Sequence, residues 1–80
     1  MKEAILWKFA TDDENNIQKN RLIAEQILPD AIQEADDEGV DIIGIQAVHR
    51  RDFLLSHFDL YYGYVWDRGK NGNWVFHEKK

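Results

Sequence analysis

The stretch Val40-Asp41-Ile42-Ile43-Gly44-Ile45-Gln46-Ala47-Val48 decides the architecture. Val40, Ile42, Ile43, Ile45 and Val48 are too dense for a simple apolar–polar alternation. They ask for burial on both faces, as in a strand inside a sheet. Immediately upstream, Gly39 follows the run Asp36-Asp37-Glu38 and is a natural helix stop. Those acids sit poorly against the negative end of a helix dipole.

Working back from Gly39, Ile17, Ala24, Ile27, Leu28, Ala31, Ile32 and Ala35 recur at helical spacing with polar residues between them. Thr11 or Asp12 is expected as the N-cap, with acids in the first turn. Pro29 interrupts the pattern, yet the apolar stripe continues on both sides of it. That favours one kinked helix or a very tight break over two separate helices. Before the helix, residues 3–9 read as a strand. Ile5, Trp7 and Phe9 alternate there with Leu6 and Lys8.

Downstream, residues 52–66 are too long for one ordinary strand. Phe53 to His57 suits a helical turn or a bent edge piece capped by Asp52. Leu60 to Trp66 reads as a strand, with Gly63 suggesting a bulge or a close packing partner. Residues 67–73 are turn chemistry with Asn71-Gly72 as the hairpin signal, and Trp74 to His77 returns as the last strand.

The order strand, helix, then two or three strands predicts an α+β fold. The expectation is a two-layer β-α-β-β(-β) sandwich, one long Pro-kinked helix packed on a small antiparallel or mixed sheet. All of residues 1–80 form a single domain in this reading, since 80 residues suffice for one core and not for two.

Charge is distributed unevenly within the net −5. Residues 11–41 hold ten acids against Lys19 and Arg21, a balance of −8. Residues 42–80 carry +2 and residues 1–10 carry +1. There is no cysteine, so disulfides, thiolate metal sites and cysteine nucleophiles are excluded. No run approaches the roughly 18 apolar residues of a membrane span, and the apolar stretch near the N-terminus is too short for a signal peptide. A cytoplasmic protein with no membrane partner is the expectation.

Several constellations invite a chemical reading. His49, His57 and His77 sit among Asp52, Asp59 and Glu78, but the strand pattern separates them too far for ligands to converge. No metal, cofactor or catalytic residue is therefore assigned, and an enzyme is disfavoured. Arg50, Arg51, Arg68 and Lys70 lie near aromatic residues, an arrangement that some single-strand nucleic-acid binders use. The acidic helix could instead dock on a basic partner, as a small acidic inhibitor does.

The aromatic segment is the most informative feature. Leu60, Tyr62, Tyr64 and Trp66 alternate with Tyr61, Gly63 and Val65, giving apolar character to both faces. One helix covers one face only, so an aromatic face is expected to remain for a partner. Tyr61, Tyr62, Tyr64, Trp66, Trp74 and Phe76 are the interface candidates. The leading expectation is a small non-enzymatic interaction or regulatory protein that self-associates or binds a protein partner. Nucleic-acid binding through Arg50, Arg51, Arg68 and Lys70 is the alternative, and the acidic inhibitor a further one.

Overall fold

A computed structural model of the chain describes residues 3–57 and 63–78. Strand β1 (Ile5–Thr11) leads to helix α1 (Ile17–Glu38), strand β2 (Ile42–His49) and a short 3-10 turn (Arg50–Asp52). Strands β3 (Tyr64–Arg68) and β4 (Trp74–Phe76) follow. The sheet order is β1-β2-β3-β4, parallel between β1 and β2 and antiparallel thereafter. This is an α+β fold with one long helix on a mixed four-stranded sheet, as the element order implies.

The parallel pair follows from connectivity, because the crossover helix returns the chain to the same end of the sheet from which β1 started. The register pairs Ile5 with Ile43 and Trp7 with Ile45, and the next strand adds Trp66 beside Ile43 and Tyr64 beside Ile45. Side chains level across a ladder share a face, so these residues all point towards the helix. Ile5, Ile43 and Ile45 are fully buried there against Ala24, Ala31 and Ala35. Each such isoleucine contributes about 1.5–3 kcal/mol of burial. The alanines let the helix backbone approach closely, since anything larger would hold the two layers apart.

Helix α1 starts later than expected. The Thr11 hydroxyl accepts from the Asp13 amide at 3.1 Å and Asn16 Oδ1 accepts from the Lys19 amide at 3.1 Å, so Asn16 is the N-cap. Thr11 instead ends β1 as a buried residue, and no acid occupies the first helical turn. Five oxygen-bearing cap residues (Thr11, Asp12, Asp13, Asn15 and Asn16) compete within six positions, and the turn over 12–16 selects the last. Asn20 is wholly buried and donates to the Asp13 carbonyl at 2.8 Å, pinning that turn to the helix. Its Oδ1 has no donor among the described residues.

Pro29 lies inside one continuous helix. It is exposed, so the carbonyl it leaves unbonded, that of Glu25, faces water. The helix ends at Gly39, whose φ of 69° and ψ of 36° are left-handed. The Val40 amide reaches back to the Ala35 carbonyl at 2.9 Å, the closing bond of a Schellman turn.

Beyond β2 the structure departs from the expected boundaries. A 3-10 turn at Arg50–Asp52, with His49 Nδ1 accepting from the Arg51 amide at 3.0 Å, precedes the expected turn after Asp52, whose carbonyl accepts from the Leu55 and Ser56 amides at 3.1 and 2.9 Å. Asp67 and Arg68 belong to β3, not to the turn. The β3–β4 loop is therefore residues 69–73, closed by Gly69 N–H to Asn73 C=O at 2.7 Å. Leu60, placed at the start of the aromatic strand by its sequence, lies outside the described residues.

Candidate interaction surface

The register assigns each aromatic candidate to a side. Trp66 pairs with Ile43 and Phe76, and Arg68 pairs with Trp74, so Tyr64, Trp66, Trp74 and Phe76 share the helix-facing side. Trp66 is 4% exposed and meets Phe76 edge to face at 5.4 Å. Phe76 and Trp74 are half-buried beyond the helix's own width, and two arginines extend the cover over them. Arg21 lies 4.0 Å above Phe76, and Arg68 lies 4.5 Å above Trp74. The Tyr64 hydroxyl donates to the Ile17 carbonyl at 3.0 Å. Burial raises the Tyr64 pKa, with Arg21 pulling the other way. These four side chains fill and close the space between helix and sheet, so the aromatic face is the covered one. Tyr61 and Tyr62 lie outside the described residues.

Arg68 is also the clasp between the layers. It donates to Asp41 at 2.9 Å and to the Val40 carbonyl at 3.0 Å, and its Nη2 lies 2.9 Å from Asp36 on the helix. These acceptors raise its pKa, Asp36 foremost. Arg50 grips Asp12 through Nε and Nη2 at 3.0 and 3.3 Å, which lowers the Asp12 pKa. Arg51 turns back to His49 Nδ1 at 3.3 Å. Arg50 and Arg51 stand at one end of β2, whereas Arg68 and Lys70 stand at the other. The length of β2 separates them by roughly 25 Å at about 3.3 Å per residue. The four bases do not form one patch.

Nor do the histidines gather. His49 caps the 3-10 turn, and His77 Nδ1 lies 3.1 Å from Asp67 Oδ2. The His77 amide reaches the Val65 carbonyl, so the hairpin register differs by two residues from a turn centred on residue 70. Among the described residues, no three His, Asp or Glu side chains are grouped to hold a metal. No helix among them is long and apolar enough to cross a membrane.

The side of the sheet away from the helix is built from the other parity: Leu6, Lys8 and Ala10, then Ile42, Gln46 and Val48, then Val65 and Val75. Leu6 is 47% exposed and Val75 56% exposed. Part of this outer face is covered by the segment after β2. Lys8 donates its ammonium to the carbonyls of Phe53 and Ser56, the latter at 3.1 Å, and sits 4.7 Å over the Phe53 ring. That clamp leaves Leu54 and Leu55 pointing outwards, 90% and 85% exposed. The outer face was legible in the first strand alone, where Leu6 alternates with Ile5 and Trp7. The aromatic residues drew attention to the wrong parity. Comparison with protein-family models, with curated proteins and with solved structures finds no match.

Proposed function

We propose that this chain is a small non-enzymatic interaction protein that joins a protein partner, or another copy of itself, through sheet surface that the helix leaves uncovered. The observation that carries the reading is the exposure of Leu6 and Val75 on the side of the sheet opposite α1, reinforced by Leu54 and Leu55 beside it. Large apolar side chains held on a rigid strand, rather than on a loop tip, are what an interface core requires. The acids of the helix contribute solubility and steering.

The test is site-specific photo-crosslinking in the source cells. A photoreactive phenylalanine at position 6 or 75 is expected to capture one defined protein band. The same group at Gln33, on the exposed side of α1, is the control. Equal capture at all three positions, or none at 6 and 75, overturns the proposal.

A further inference from the structure

The two edges of the sheet are unlike one another. β4 is three residues long and follows a loop with Gly72 at φ 86°, so it offers little to pair with. β1 runs for seven residues, all of them paired to β2 on one side. Alternate residues of a strand turn both N–H and C=O to the same side, so half of the β1 backbone faces away from β2. Among the described residues, no backbone hydrogen bond reaches that edge. Natural edges are guarded by proline, bulges or free lysines. β1 has no proline, and its single charge, Lys8, is held down on the Phe53–Ser56 segment.

Above this edge lies an apolar shelf. Trp7 and Phe9 are half-buried on the helix side of β1. At about 100° per residue, the wheel of α1 puts Arg21 and Asp36 on the flank over β3 and β4, where they meet Phe76 and Arg68. Ile23 and Ile27 then fall on the opposite flank, over β1, and both are half-buried. The same flank carries exposed Lys19 towards its N-terminal end, and half-buried Glu34 with exposed Asp30 and Asp37 towards its C-terminal end.

That charge order is self-complementary when one copy is reversed against another. We infer that the β1 edge is the contact through which a second copy of this chain joins, antiparallel and two-fold symmetric, making one continuous eight-stranded sheet. This rests on the reading of the chain as an interaction protein, and takes the partner to be a second copy held at the β1 edge rather than on the outer face. A two-fold axis normal to the sheet keeps paired residues on the same face, so the axis must lie midway between a residue and its own counterpart. Centred at Trp7, it sets Trp7 against its counterpart, Ile5 against Phe9, and Leu6 beside Lys8. Centred at Lys8, it sets two like charges opposite each other, which is disfavoured. The two helices then lie on one side about three strand spacings apart, roughly 14 Å. Trp7, Phe9, Ile23 and Ile27 of both copies fill the trough between them. Lys19 of each helix faces the acidic end of the other, within reach of long side chains.

The experiment is sedimentation equilibrium of the full chain, with amide exchange read across β1. Wild type is expected at twice the 9.5 kDa chain mass, with β1 amides that become protected as concentration rises. The double variant Leu6→Lys/Ala10→Lys guards the edge from exposed positions and is expected to weaken the dimer at least tenfold, with an unchanged circular dichroism spectrum. Leu22→Lys, on the solvent side of α1, is the control expected to leave it intact, and Val75→Lys reports separately on the outer face. Loss of association in Val75→Lys but not in the double variant would place the second copy on the outer face, overturning the inference while sparing the functional reading. A dimer with freely exchanging β1 amides would also overturn it, as would a monomer at every concentration up to about 1 mM. In that last case, capture of another protein from position 6 or 75 would separate a wrong partner from a wrong function.

Discussion

Replacing Gly39 by alanine tests the helix end with little else disturbed. The residue has φ 69°, and a Cβ built there meets no atom within 4 Å. The substitution therefore adds no clash, only the backbone cost of holding an L-residue in the left-handed region, about 1–2 kcal/mol. Alanine also stiffens the unfolded chain, which returns roughly 0.4–1 kcal/mol. The net expectation is a loss near 1 kcal/mol. For a domain of this size that lowers Tm by about 4–8 °C. A total synthesis with D-alanine at position 39 reverses the sign, because D-alanine favours positive φ and still restricts the unfolded chain. Thermal unfolding followed at 222 nm measures all three proteins. An L-alanine variant as stable as wild type, or a D-alanine variant less stable than wild type, would refute the left-handed cap and the Schellman turn built on it.

Other perturbations probe the core, the clasp and the outer face. Ile45→Ala is expected to cost about 2–5 kcal/mol, out of the roughly 4–12 kcal/mol available to 80 residues; a urea midpoint shift worth less than about 1 kcal/mol would show that Ile45 is not enclosed. Arg68→Met removes the group joining Asp36, Asp41 and the Val40 carbonyl, so Tm should fall and Trp74 emission shift to the red, and constancy of both would dismiss the clasp. Lys8→Met should open residues 53–57 to proteolysis and amide exchange with the core still protected; unchanged cleavage would show that the ammonium does not hold that segment. Asp12 has a lowered pKa because Arg50 binds its ionised form, so its contribution is present above the ordinary value of 3.8 and is lost as pH falls through the lower folded value. Asp12→Asn should therefore be less stable than wild type at pH 7 and converge with it in acid, and a gap that widens on acidification would contradict the pairing.

How far the residues foretell this fold varies from one element to the next. The density of Val40, Ile42, Ile43, Ile45 and Val48 and the stripe from Ala24 to Ala35 are local signals, and they led to the central strand and the helix. Gly39 did the same for the helix stop. The start of α1 was not legible, because Thr11, Asp12, Asp13, Asn15 and Asn16 differ as caps by less than the turn that chooses among them. The apolar stripe on both sides of Pro29 pointed to one helix running through it, and Pro29 sits on the exposed side of that helix. The side on which the aromatics lie depends on strand register, and one residue of slip reverses it. Two arginines, from the helix and from β3, complete the cover that a helix's width alone does not provide.

The parallel pairing of β1 with β2 also has a consequence in time. Ile5 meets Ile43, so 38 further residues must be made before β1 has its first neighbour. At about 5–20 residues per second that is a wait of roughly 2–8 s on the ribosome. The hydrogen bonds of the helix between them are local and can form as each turn is made. For those seconds the sequence Ile-Leu-Trp-Lys-Phe-Ala is available to whatever meets nascent chains, and the yield of folded protein depends on how that interval is spent.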